Sequence, residues 1–188
     1  MTGKLIIFAA PSGSGKTTIV KHLLDLGMNL SFSISATTRA KRDNETDGVD
    51  YFFLTKEAFQ TKVKENAFLE WEEVYEGTYY GTLKTEVDKE LAQGKNILFD
   101  IDVKGALNIK KIYGTQALAL FVKPPSIEIL EERLRIRNTE SEETFKTRIG
   151  KAAIELTFED QFDITIINEN IEEAREEARL IINNFISA

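Results

Sequence analysis

Ala10-Pro11-Ser12-Gly13-Ser14-Gly15-Lys16-Thr17-Thr18 lies between the apolar run Leu5-Ile6-Ile7-Phe8 and a helical pattern through Ile19, Leu23 and Leu24. A glycine-rich turn between a buried strand and a helix aims backbone N–H groups into a concave nest. The positive end of the helix dipole adds to the pull of that nest on an anion. Gly13 and Gly15 let the backbone come close to phosphate oxygens, Lys16 has the reach for β- and γ-phosphates, and the Thr17 hydroxyl suits Mg²⁺. Ser12, Ser14 and Thr18 complete the loop around a triphosphate. Ala10 stands where the phosphate-loop pattern opens with Gly, a substitution that fits if the residue keeps φ below zero. A plain glycine-rich turn is the alternative, but a strand before it and Lys-Thr after it favour a nucleoside triphosphate site.

The 188 residues are enough for one globular unit with small inserted lobes. A net charge of -7 argues against nucleic acid as a partner, since that needs a basic face to displace counterions. The absence of cysteine excludes disulfides and thiolate metal sites. No apolar run approaches the ~20 residues of a membrane span. Met1-Thr2-Gly3-Lys4 enters the first strand directly, with no room for a signal peptide, so the expected location is cytoplasmic.

Four apolar runs read as buried strands of a parallel sheet: Leu5-Phe8, Ile97-Phe99, Leu118-Val122 and Ile164-Ile167. Helical patterns lie between them. Leu83, Val87 and Leu91 share a face, with Gly94 closing that helix. Phe145, Ile149, Ala152, Ala153 and Leu156 form a second stripe, and Ile171, Ala174, Ala178, Ile182 and Phe185 a third. Alternating strands and helices predict an α/β fold with helices on both faces of the sheet. Residues 35–81 break the alternation with short aromatic strands around a helix near 56–65, which reads as an inserted mixed lobe. Asn138-Thr139-Glu140-Ser141-Glu142 is polar and turn-forming between two charged helices, as the tip of a lid would be.

The insert narrows the function. Arg39 and Arg42 sit on a loop after a strand expected over Leu30–Ile34, and paired arginine forks match a phosphomonoester dianion. Tyr51 and Tyr80 add hydroxyl donors. A solvated basic loop explains the two arginines equally well. Glu70 interrupts the apolar stretch Phe68-Leu69-Glu70-Trp71. A carboxylate there could accept from the adjacent N1–H and N2 amine of guanine, with a hydroxyl from Ser35 or Thr82 donating to O6. Alternatively, Glu70 points outward from an alternating strand.

Taken together these pieces resemble guanylate kinase. They run in the family's order from residue 5 to 168: the Pro-Ser-Gly-Ser-Gly-Lys-Thr loop, Ser35 with Thr37-Thr38-Arg39 and Arg42, Asp50-Tyr51, Phe68-Leu69-Glu70-Trp71 and Tyr79-Tyr80-Gly81-Thr82. Asp100-Ile101-Asp102 with Gly105, Pro124-Pro125-Ser126, Arg133 with Arg137, Thr139-Glu140 and Ile166-Ile167-Asn168 follow. The resemblance implies a P-loop three-layer fold with a central parallel sheet, an inserted small GMP-binding lobe and a helical lid. The implied division is core 1–34, 82–122 and 160–188, lobe 35–81, and lid 124–159. It implies that Ser35, Glu70 and Thr82 read guanine with help from Asp102, and that Arg39, Arg42, Tyr51 and Tyr80 hold the GMP phosphate. Asn168 would lie near the adenine of ATP. Lys41, Lys104 and Glu169 stand where relatives usually have Pro, Gln and Asp; none removes a group the chemistry requires.

Phosphoryl transfer asks a protein to align two anions and neutralise the charge on the moving group. Asn96-Ile97-Leu98-Phe99-Asp100 ends a buried strand in a carboxylate, which would anchor Mg²⁺ through water beside Thr17, unless Asp100 simply caps the next helix. Asp102 shares its direction only if the strand continues. Arg133 and Arg137 are four apart on one helix face, and Arg148 comes from the second lid helix, so with Lys16 they are the candidate catalytic cations. No general base is evident and none is needed, since the acceptor phosphate is already ionised; His22 reads as structural or solvated. The expected activity is Mg²⁺-dependent transfer from ATP to GMP by a monomer or homodimer. Its rivals are a non-catalytic phosphopeptide-binding module, which the intact Lys16 and Thr17 disfavour, and a sugar-phosphate kinase, which would not need Glu70, Ser35 and Thr82.

Overall fold

The computed structural model describes residues 3–136 and 142–188. Its elements run in chain order as β1 (Leu5–Ala9), α1 (Lys16–Asp25), β2 (Leu30–Phe32), β3 (Ala36–Thr37), β4 (Phe52–Phe53) and α2 (Lys56–Lys64). Next come β5 (Phe68–Tyr75), β6 (Thr78–Leu83), α3 (Lys84–Ala92), β7 (Asn96–Asp100) and α4 (Val103–Tyr113). The chain ends with β8 (Ala117–Lys123), α5 (Ile127–Ile136), α6 (Glu142–Leu156), β9 (Ile164–Ile167) and α7 (Ile171–Ser187).

Five strands form a parallel sheet in the order β2-β7-β1-β8-β9. β1 is central: Leu5 stands opposite Ile97 on one side and Ala117 on the other. All five of its side chains are fully buried, the physical reason its sequence is an unbroken apolar run. Ile6 and Phe8 pack against Ile19 and Leu23 of α1 and Ala174, Ala178 and Ile182 of α7. Leu5 and Ile7 point the other way, onto Val87 and Leu91 of α3 and Val103 and Ile109 of α4. Each such Leu or Ile taken fully out of water contributes about 1.5–3 kcal/mol. The result is the expected three-layer α/β fold. The strand expected over Leu30–Ile34 pairs with β7 and ends at Phe32.

A second sheet, order β4-β3-β6-β5, lies between β2 and α3 in the chain. β5 and β6 form an antiparallel hairpin, while β3 runs parallel to β4. One face packs on α2, whose buried Phe59 stacks on Phe68 with ring centroids 4.4 Å apart. Thr55 caps α2 by accepting from the Ala58 N–H at 3.1 Å. The other face carries Glu70 and Thr82, and Glu70 reaches the first turn of α4. Leu130 and Leu134 of α5 pack with Ala152 of α6. Arg137 and the expected lid tip at 138–141 lie outside the described residues.

Candidate active site

The loop between β1 and α1 sits at the carboxyl ends of the central strands, where open α/β sheets place ligands. Gly13 (φ 95°) and Gly15 (φ 92°) adopt left-handed backbone that side chains resist. A Cβ on Gly15 would also come within 2.2 Å of Asn168 Nδ2. Ala10 has no positive φ and packs into the core, so its methyl group meets no conflict in place of a first glycine.

Lys16 Nζ donates to the Ile101 carbonyl at 2.7 Å and pairs with the Asp100 carboxylate, which also accepts from the Thr17 hydroxyl at 3.0 Å. The structure thus separates the two acids at the end of β7. Asp100 faces the phosphate loop, whereas Asp102 caps α4, its Oδ1 accepting from the N–H groups of Lys104 and Gly105 at 2.8 and 3.1 Å. Capping therefore falls to Asp102 and not to Asp100.

A cavity of about 370 Å³ opens over the loop. Asp100, Asp102 and Arg148 line it, together with Lys151 and Glu155 of α6. Arg148 donates toward the Ser12 hydroxyl at 3.5 Å, tying α6 to the loop. On the far side of the loop a second cavity, about 330 Å³, lies among Gly13, Gly15, Arg133, Ile136, Asn168 and Ile171. Asn168 is 3% exposed and donates from Nδ2 to the Ser14 carbonyl at 2.7 Å. Its backbone carbonyl accepts from Arg133 at 3.0 Å. Asn168 therefore holds the phosphate loop in place as well as walling the second cavity, and α5 is linked to the loop through it. Thr18 is exposed at the start of α1 and Ser14 is fully buried.

The second sheet gathers the other predicted residues. Thr82, 1% exposed, donates to Glu70 Oε1 at 2.6 Å. Burial pushes the Glu70 carboxyl up to about 7, against the Thr82 hydroxyl, which favours the ionised form, and with the nearby charge of Asp102. A Cβ on Gly105 would lie 3.1 Å from Glu70 Oε2 and 3.2 Å from Asp102 Oδ2, so both carboxylates converge where only glycine leaves room. The register Ala36↔Gly81 and Thr37↔Tyr80 sets Ser35 level with Thr82.

Arg39 lies over the Tyr51 ring, 5.4 Å from its centroid, and Tyr51 meets Tyr80 edge-on at 5.9 Å. Its guanidinium is engaged by both oxygens of Glu45, at 2.7 and 3.0 Å, and the Arg42 backbone N–H donates to the same carboxylate at 2.8 Å. The Arg39 guanidinium holds the Glu45 carboxyl at about 2. Arg42 itself is exposed.

Glu45, Lys151 and Glu155 escaped the sequence reading. Lys151 and Glu155 follow Arg148 by three and seven positions, a helical spacing that marks one face and was available as a signal. Glu45 carried no such pattern, because its place depends on the turn ending at Gly48 (φ 75°).

A family model described as guanylate kinase matches residues 2–185. The guanylate kinase of Bacteroides thetaiotaomicron is 54% identical over 187 residues, covering 100% of this chain and 92% of the relative. That of Porphyromonas gingivalis is 49% identical over 185 residues, 98% of each chain. The crystal structure of guanylate kinase from Anaplasma phagocytophilum superposes with a TM-score of 0.76 at 28% identity, covering 100% of this chain and 88% of that one. With a triphosphate-type loop and a buried carboxylate–hydroxyl pair facing it across Asp102, this chain belongs to the guanylate kinase family.

Proposed function

We infer that the chain transfers the γ-phosphoryl group of ATP to GMP, giving ADP and GDP, and serves purine nucleotide metabolism and the recycling of GMP. The observation that carries this reading is the shared position of Asp102. It lines the phosphate cavity and also lies beside Glu70, so the base reader and the transfer cavity are neighbours. Glu70 accepts from N1–H and the N2 amine, Asp102 takes the remaining amine hydrogen, and Thr82 and Ser35 supply hydroxyls to the base edge. Arg39, Arg42, Tyr51 and Tyr80 hold the acceptor phosphate. Ser12 to Thr18 cradle the donor phosphates, and Asn168 flanks the adenine cavity.

Lys16 and Arg148, which line the phosphate cavity, are the first cations for the transferring group. Arg133 would have to turn from the Asn168 carbonyl to join them with Arg137, in a reaction whose catalysis is mostly charge neutralisation and alignment. Thr17 and Asp100 offer a hydroxyl and a carboxylate, oxygen donors of the kind Mg²⁺ takes alongside water and substrate phosphates. When bound, Mg²⁺ would neutralise charge on the β- and γ-phosphates. The lobe 35–81 and lid 124–159 close on the core 1–34, 82–122 and 160–188, excluding water that would otherwise hydrolyse ATP. No helix of the described residues is long and apolar enough to cross a membrane. A cytoplasmic monomer or homodimer, with no nucleic-acid partner, completes the reading.

The test is ADP formation with GMP, AMP, dTMP and UMP offered in turn as acceptors. GMP should be turned over far faster than the others. Tight ATP binding with no acceptor turnover would instead favour a binding module. Glu70→Gln should cost about 1–3 kcal/mol of GMP-over-AMP discrimination, the scale of a good paired base contact; an unchanged preference would remove Glu70 from the base site. The raised carboxyl also sets a pH dependence. Above about pH 7 Glu70 is ionised and accepts both guanine donors, while below that it is protonated and presents an O–H toward them. KM for GMP should therefore rise toward tenfold per unit as pH falls below about 7, and this part of the profile should flatten in Glu70→Gln.

A further inference from the structure

Glu72 has no part in the reaction as assigned, yet it stands on the acceptor face. Residues two apart on a strand project the same way, so Glu72 shares the face of Glu70, opposite Tyr80 as Glu70 is opposite Thr82. It is half-buried, whereas Trp71 and Glu73 on either side are exposed. Burial and the adjacent Asp102 push its carboxyl upward, while Lys151 and Lys104 pull it the other way. Lys151 Nζ, from α6, lies 3.9 Å from Glu72 and 3.9 Å from Glu155.

A nucleoside monophosphate with its base on Glu70 and its phosphate near Tyr80 must lay its sugar over the surface between them. The chemistry of guanine narrows this further. Its N2 amine is on the edge nearest the glycosidic bond. A carboxylate beside Asp102, the group assigned to that amine, therefore faces the 2′ carbon of the sugar. We propose that Glu72 accepts a hydrogen bond from the 2′-hydroxyl of the acceptor ribose and makes the enzyme prefer GMP to dGMP, an assignment that rests on the GMP reading above. Lys151 is the positioning residue: its ammonium favours the ionised carboxylate that a hydroxyl donor needs, and it arrives with the lid helix.

The test compares kcat/KM for GMP and dGMP in the wild type, Glu72→Ala and Glu72→Gln, each checked for folding by a thermal melt. The wild type should prefer GMP about tenfold, the scale of a hydrogen bond to a charged acceptor. Glu72→Ala should erase the preference by raising KM for GMP, with kcat and the dGMP parameters within twofold. Glu72→Gln keeps an acceptor oxygen and should retain an intermediate preference. A wild type without preference, or an equal loss on both nucleotides in Glu72→Ala, would overturn the proposal and leave Glu72–Lys151 as an ion pair between lobe and lid. A wild type that phosphorylates neither nucleotide would instead defeat the GMP reading, so the two failures are distinguishable.

Discussion

Lys16→Ala should lower kcat by about 10³-fold while leaving the fold intact. The ammonium sits at the mouth of the phosphate cavity, held by Asp100 and the Ile101 carbonyl, on the first residue of α1. In the proposed reaction the phosphates of ATP would replace those partners, placing the charge where negative charge shifts during transfer. A thousandfold loss corresponds to about 4 kcal/mol of transition-state stabilisation. The packing of α1 rests on Ile19, Val20 and Leu23, none of which touches this interaction, so a melting curve near that of the wild type is expected. Asp100 keeps the Thr17 hydroxyl as a partner after the substitution. Steady-state ADP release with GMP, beside a circular-dichroism melt, measures both quantities. Near-normal turnover would remove Lys16 from the machinery.

The parts of the molecule that could be read in advance are those where chemistry or burial leaves few choices of residue. The phosphate loop is one, since only particular residues make an anion nest ahead of a helix. β1 is another, because a strand covered on both faces has no polar position. Glu70 shows where such reasoning stops. In Phe68-Leu69-Glu70-Trp71, hydrophobicity alone turns Trp71 inward and Glu70 outward. The fold does the opposite: Trp71 is 47% exposed beside Tyr79, while Glu70 faces Thr82 in the cleft. A register shift between Phe68 and Glu70 breaks the alternation here and leaves Phe68 and Leu69 both buried, so the hydrophobic pattern did not tell which residue would meet the cleft. Asp100 and Asp102 divide their work for a similar reason. The strand ends between them, and the last strand residue and a helix cap face different partners. The engagement of Arg39 by Glu45 depends on a loop path that no periodicity encodes.

That engagement shapes the second large effect. Arg39→Met should raise KM for GMP on the order of 10²-fold, about 3 kcal/mol, the range for removing one partner of a hydrogen-bonded charge pair. Methionine preserves much of the length and the apolar contact with the Tyr51 and Phe53 rings, which lie 5.4 and 5.8 Å from the guanidinium carbon, so the loss isolates charge and donors from packing. Two contributions add. The phosphate loses a planar fork of donors, and Glu45, left without Arg39, turns an uncompensated carboxylate toward the incoming dianion. Glu45→Gln in the Arg39→Met background should therefore recover part of the loss, about tenfold if the repulsion accounts for half of it in free energy. KM for ATP should stay within threefold in both variants, because the donor cradle is built on β1 and α1 and shares no contact with Arg39. Equal rises in KM for GMP and ATP would mean that Arg39 acts through the fold, and no recovery in the double variant would confine Glu45 to holding the loop.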